Sequence, residues 1–179
     1  IFFWVARMIM FGMEFQNKEP FKNIYVHALV RDEKGQKMSK SKGNVIDPLE
    51  LIEKYSADAL RFTLLSMASP GRDVKLSEDR VKGYRNFLNK IWNANNFLIQ
   101  NDCKFENIET PNDLKLNINK WIFVEFTNTN EKIKKSIDSY RFDEAARIAY
   151  QFVWHSFCDW YLELSKTVFY SENNENIEE

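Results

Sequence analysis

The feature that leaves the fewest folds open is an apolar seam in the last third of the chain. Phe142, Ala146, Ala149, Val153, Phe157, Trp160, Leu164 and Val168 follow one another in steps of three and four. That spacing belongs to an α-helix with one buried face, and it predicts a helix over about 142–170. Such a stripe cannot be covered by its own helix, so it demands partners packed alongside, as in a helical bundle. Two partners are legible. One is a helix over about 117–138. The other opens at Ser77-Glu78-Asp79, with acidic residues in its first turn, and runs to about Gln100. On that second helix Val81, Tyr84, Leu88, Ile91 and Leu98 fall on one face, and Lys82, Asn86, Asn89 and Asn93 on the opposite one. Residues 101–116 read as a polar link containing Pro111, and the closing SENNENIEE as a solvated acidic end.

The first half has a different grammar. Residues 2–12 predict a helix that is apolar nearly all round, ended by Gly12, in which a buried Arg7 would need a partner. After the turn signals Asn17 and Pro20, Ile24–Val30 is an unbroken apolar run with β-branched and aromatic members. It predicts a strand buried on both faces, as in a parallel sheet. One strand cannot make a sheet, so the rest of an α/β unit is expected outside these residues, and the start at Ile1 is read as the start of a piece. Residues 2–12 and 24–30 would then present exposed apolar surface. Asp47-Pro48 starts a helix to about Lys54, Ser56 caps ADALRFTLLSM, and Pro70-Gly71 ends it.

Between these helices lies RDEKGQKMSKSKGNVIDP, with Lys34, Lys37, Lys40 and Lys42 among serines and glycines. The residues leave two readings open: a solvated connection, or a mobile cationic loop that grips a polyanion. Position favours the second, because a loop leaving a buried parallel strand opens at the sheet edge where α/β folds bind nucleotides. The net charge of −1 gives no overall basicity, so any polyanion site must be local. Cys103 and Cys158 stand far apart without a paired Cys or His, which excludes a CxxC-type zinc site and points to a reducing, cytoplasmic compartment. The opening IFFWVARMIMFGM is interrupted by Arg7 and too short to span a bilayer, so no membrane role is expected.

Lys37-Met38-Ser39-Lys40-Ser41 matches the signature loop of class I aminoacyl-tRNA synthetases. With FFWVARMIM, HALVRDEKGQKMSKSKGNVIDP, ADALRFTL, GRDVKLSEDRVKGYRNFLNKIWNA and RFDEAARIAYQFVWHSFCDWYLELSK, nearly the whole chain resembles the valyl-tRNA synthetases. The isoleucine and leucine enzymes share the loop and the Asp-Trp-Tyr stretch, and remain the alternative within the class. The resemblance implies a mainly α chain. It would be the remnant of a Rossmann-like α/β catalytic domain over 1–45, connecting or stem-contact helices over 46–76, and an anticodon-binding helical bundle over 77–179.

It further implies ATP-dependent activation of valine to valyl-adenylate, with Mg²⁺ accompanying the ATP, and transfer to tRNA(Val) by an enzyme expected to be a monomer. Lys40 would stabilise charge on the phosphates and Lys37 assist. Met38 would be an apolar latch, and Ser39 and Ser41 would bond phosphate or shape the loop. His27 is either a core residue or a neighbour of the adenylate, and Trp4 either a core residue or a wall of the valine pocket. Lys82, Arg85, Asn86, Asn89 and Asn93 form either an RNA-backbone contact or a solvated helix face. No metal ligand is identified in the chain. The family's other signature, resembling His-Ile-Gly-His, and its editing domain are not among these residues, so the chain alone is expected to be inactive. Outside the enzyme class, a free-standing tRNA-binding module or a structural helical domain with a relic loop would also fit the helices.

Overall fold

Helices begin where the side chains permit. The computed structural model describes residues 2–104 and 110–170. Within them lie α1 (Val5–Gln16), β1 (Val30–Arg31), α2 (Pro48–Tyr55), α3 (Ala57–Ser66), β2 (Val74–Lys75), α4 (Glu78–Gln100), α5 (Asn117–Asp138), α6 (Phe142–Gln151), a π-helical segment (Phe152–Tyr161) and α7 (Leu162–Phe169). Asp47 is extended and accepts the Leu49 N–H at 2.8 Å, with Pro48 at the first helical position, so α2 starts there. The Ser56 hydroxyl accepts the Ala59 N–H at 3.3 Å and opens α3. The expected acidic end, SENNENIEE, lies outside the described residues, as do 105–109 of the polar link.

Two clusters carry the core. Leu51, Tyr55, Ala59, Leu60, Leu76 and Val81 pack where α2, α3 and the first turn of α4 meet. Ala94, Cys158 and Leu162 do so where the end of α4 meets the π segment and α7. An aromatic chain joins them. Phe87 of α4 lies 5.1 Å from the Phe62 ring of α3 and 4.8 Å from Tyr150 of α6, and Tyr150 stacks on Trp154 at 5.4 Å. The seam of α4 is therefore carried by Val81, Phe87 and Ala94, because α3 meets the helix at one end and the π segment at the other. Ile91, expected on the packed face, is 40% exposed.

Three expectations need correction. First, α1 does not end at Gly12. It runs on to Gln16 and stops at Asn17, whose left-handed backbone (φ 47°) donates its N–H to Met13 O at 3.1 Å. Gly12 serves a close approach instead: a Cβ there would sit 2.9 Å from both Lys18 O and Pro20 Cδ. Nor is α1 buried. None of its residues is, Arg7 bonds the Phe3 carbonyl in the open, and among the described residues α1 meets other elements only in isolated touches.

Second, Ile24–Val30 does not form a two-face-buried strand. Only Val30–Arg31 pairs, in parallel, with Val74–Lys75. Burying both faces of a strand takes layers packed on each side of its sheet, and among the described residues β2 is the sole partner strand and Ile24, Val26 and Leu29 stay exposed. The exposed apolar surface expected over 2–12 and 24–30 is present, with Trp4 at 72% and Val26 at 65% exposure. Tyr25 anchors the segment by stacking on Tyr140 at 5.8 Å and meeting Phe142 edge-on at 5.5 Å.

Third, the 142–170 helix is continuous but changes pitch. Over Phe152–Tyr161 the chain is π-helical, and each π turn takes up about one residue more than an α turn. The seam slips accordingly: Trp160 (62%) and Leu164 (45%) face solvent, while Cys158, Leu162 and Ser165 take the buried positions.

Candidate active-site loop

The loop between β1 and α2 is built rather than loose. At its base, Arg31 of β1 pairs with Asp73 just before β2, and the β1–β2 ladder is completed by Val74 N–H to Leu29 O at 2.8 Å and Leu76 N–H to Arg31 O at 3.0 Å. The chain then reverses at Asp32–Gly35, where Gly35 N–H donates to Asp32 O at 2.9 Å. Gly35 has φ 77°, a conformation that favours glycine, and Lys75 Cε would sit 3.0 Å from any Cβ placed there. Lys37 returns to bridge Arg31 in antiparallel fashion. Lys40–Lys42 make one 3₁₀ turn, closed by Gly43 at φ 63°.

Polar side chains fasten this path. Asp32 Oδ1 accepts the Gln36 N–H at 2.6 Å and its Oδ2 accepts from Asn44 Nδ2 at 2.8 Å. The Asn44 amide, backed by the Gln36 N–H, holds the Asp32 carboxyl below the usual carboxylate range. Asn44 Nδ2 also reaches Lys37 O at 3.3 Å, and Asn44 Oδ1 accepts the Ser39 N–H at 3.0 Å. The Ser39 and Ser41 hydroxyls lie 3.2 Å apart.

The loop therefore gathers Lys37, Met38, Ser39, Lys40 and Ser41 on one ordered turn. Met38 and Ser39 are half-buried, whereas Lys37, Lys40, Ser41 and Lys42 are exposed. Among the described residues none of these three lysines has an acidic partner within 4 Å. Three unpaired ammonium groups on a fastened backbone have the charge and placement that would suit a polyanion. No group of three or more His, Cys, Asp or Glu side chains that could hold a metal is present among the described residues.

The other expected site residues are not drawn to the loop. His27 lies in exposed, non-strand backbone, so it is not the core histidine of a buried strand. Its Nδ1 donates to Ala28 O at 2.8 Å. Trp4 stands exposed at the start of α1 with the Arg7 guanidinium 5.4 Å from its ring centre, so it is not a core tryptophan either. Lys82, Arg85, Asn86, Asn89 and Asn93 form one exposed stripe along α4. Sequence reasoning missed Asp32 and Asn44. The only signal was a pair of short polar residues bracketing the lysines, which composition treats as ordinary turn formers.

Comparison with known proteins points to a family. Residues 1–77 match the model for tRNA synthetases class I (I, L, M and V), and residues 119–178 that for the anticodon-binding domain of tRNA ligase. The valine–tRNA ligase of Pelagibacter ubique (strain HTCC1062) is 74% identical over 179 residues, covering 100% of this chain and 20% of that protein. The chain is thus similar to the class I tRNA synthetases. Further relatives are the valine–tRNA ligases of Mesorhizobium japonicum, 60% identical over 94% of the chain and 18% of that protein, and of Bartonella quintana, 55% identical over 98% and 19%. The chain thus spans about a fifth of the length of the curated relatives it matches. The crystal structure of the ternary complex of Agrobacterium radiobacter K84 agnB2 LeuRS, tRNA and LeuAMS superposes with a TM-score of 0.72. It covers 89% of this chain and 20% of that one at 22% identity, a likeness of fold. No described helix of the chain is long and apolar enough to cross a membrane.

Proposed function

We propose that this chain is the part of a valine–tRNA ligase that carries the phosphate-gripping loop and the helical tRNA-binding region. In the whole protein, valine and ATP would form valyl-adenylate and pyrophosphate, and the valyl group would then pass to the 3′ end of tRNA(Val). One observation carries the reading: Lys37, Lys40 and Lys42 stand exposed and without acidic partners on a loop whose backbone is fastened to the β1–β2 frame. A solvated connection has no need of such anchoring.

As valine attacks the α-phosphorus, negative charge grows on the phosphate oxygens and on the departing pyrophosphate. Lys40 is proposed as the group that meets this charge, with Lys37 beside it. A preorganised cation aimed at charge that develops only in the transition state lowers the barrier by about 3–4 kcal/mol. Met38, half-buried, seats the loop. Ser39 and Ser41 offer hydroxyls to phosphate oxygens while shaping the turn. Mg²⁺ belongs with the nucleotide as substrate, and no step is assigned to a carboxylate of this chain.

Trp4, with its exposed apolar ring, is proposed as a wall of the valine pocket, and His27 as a neighbour of the adenylate. The α4 stripe of Lys82, Arg85, Asn86, Asn89 and Asn93 is proposed to meet RNA backbone, since two cations and three amides on one exposed face suit phosphate and sugar oxygens. Residues 1–45, 46–76 and 77–179 are proposed as catalytic, connecting and anticodon-binding divisions. The second and third share packing, because Leu51, Tyr55 and Leu60 pack with Val81. The full-length enzyme is proposed to act as a monomer. In it, Lys40→Ala is expected to slow valine-dependent pyrophosphate exchange by about 10²-fold or more. Exchange near the wild-type rate in that variant would overturn the assignment.

A further inference from the structure

Two uncharged or oppositely charged side chains do what the lysines cannot do for themselves. A lysine stem is flexible, so where its ammonium group can reach is governed by where its Cα is held. Here the Cα positions of Lys37 and Lys40 are held through one amide. Asn44 bonds Lys37 O at 3.3 Å and Ser39 N–H at 3.0 Å, so both sides of Met38 are tied to the same side chain. Its remaining contact runs to Asp32 at 2.8 Å, and Asp32 follows directly on β1, which is paired with β2. The load path is continuous: frame, Asp32, Asn44, lysine segment.

We propose that Asn44 and Asp32 are positioning residues for the reaction, setting the register in which the loop presents Lys37 and Lys40 to a triphosphate. The proposal rests on the reading of this loop as a phosphate-binding element. Without the clasp, the lysine segment would be held less strictly, and some of its conformational freedom would have to be lost anew during each turnover. Because the lysines act on charge that builds up during the reaction, the loss should appear mainly in kcat and not in the KM for ATP.

The pairing also makes a swap informative. Asn44→Asp would set two carboxylates against each other across the 2.8 Å contact. Asp32→Asn combined with Asn44→Asp would restore a donor and an acceptor to the same place, with the charge on the other side. The Ser39 and Gln36 N–H groups would keep their acceptors, while the Lys37 carbonyl would lose its donor in Asn44→Asp and in the double variant alike.

The test uses the full-length enzyme with two readouts: valine-dependent pyrophosphate exchange with kcat and KM separated, and trypsin cleavage after Lys37, Lys40 and Lys42 followed by mass spectrometry. Asn44→Ala should lower kcat about 10- to 100-fold, with the KM for ATP changed less than about threefold. Cleavage after the three lysines should quicken several-fold. Asn44→Asp should be worse than Asn44→Ala, and the double variant should recover at least about tenfold of what Asn44→Asp loses. Wild-type kcat in Asn44→Ala, or a double variant no better than Asn44→Asp, overturns the proposal even if Lys40→Ala is inactive. If the wild-type protein gives no valine-dependent exchange, the ligase reading itself fails and the positioning role fails with it. Quicker trypsin cleavage in Asn44→Ala would then leave the clasp as loop architecture alone.

Discussion

Asp143 offers a quantitative test of what fastens the start of α6. Its carboxylate accepts Arg141 Nε and Nη2, each at 3.0 Å, and the Ser69 hydroxyl at 2.9 Å, with 12% of the side chain exposed. The Arg141 guanidinium, aided by Ser69, holds its pKa at about 2 against an ordinary 3.8. A folded-state pKa below the unfolded one gives stability that is fully present above pH 3.8 and is lost as pH falls toward 2. The gap between 3.8 and about 2, at about 1.4 kcal/mol per pH unit, amounts to about 2 kcal/mol. Arg141 is 49% exposed, so water screens the pair and about 1–2 kcal/mol is the working figure. Asp143→Asn keeps the shape and removes the charge. In urea unfolding of the chain at pH 7, the variant should be less stable than the wild type by about 1–2 kcal/mol, and this difference should shrink by about half between pH 5 and pH 3. Other acid-titrating groups are common to both proteins and cancel. A difference that stays constant down to pH 3 would refute the depressed pKa, and with it the view that the Arg141–Asp143 pair stabilises the start of α6.

The packing makes two further predictions. Phe87, 2% exposed among Phe62, Tyr150 and Trp154, should cost about 3–5 kcal/mol when changed to alanine, whereas Trp160→Ala should cost less than about 1 kcal/mol despite the larger side chain. Urea midpoints would show it, and equal losses would contradict the slipped seam. Cys103 is exposed and Cys158 buried, where burial pushes the thiol pKa up. A thiol reagent under native conditions should therefore label Cys103 first and Cys158 at least about tenfold more slowly. Equal rates would refute the placement of Cys158.

What could be read from the residues follows from how local each cause is. Asp47-Pro48 and Ser56 start their helices through bonds to residues two or three positions on, so α2 and α3 were legible, and so was α5 over 117–138. The strand at Ile24–Val30 was not, because a strand is completed by neighbours and β2, hidden in Arg72-Asp73-Val74-Lys75, is only two residues long. The pitch change at Phe152–Tyr161 was not legible either. A seam drawn at α-helical steps passes through Trp160 and Leu164 without any sign that the turns have widened, and both side chains are apolar enough to look buried.

The loop shows the same division within one site. Its lysines announce themselves because five residues in a row match a signature and the cations among them stand out as charge. The residues that hold them do not, since Asp32 and Asn44 are twelve positions apart and neither spacing nor composition links them. Their pairing exists only once Gly35 has reversed the chain at φ 77° and Gly43 has closed the 3₁₀ turn at φ 63°. Both glycines are thus upstream causes of where the cations sit. Replacing either would move Lys37 and Lys40 without touching a charged group, which is why a charge-based reading of this segment finds the cations and misses the geometry that places them.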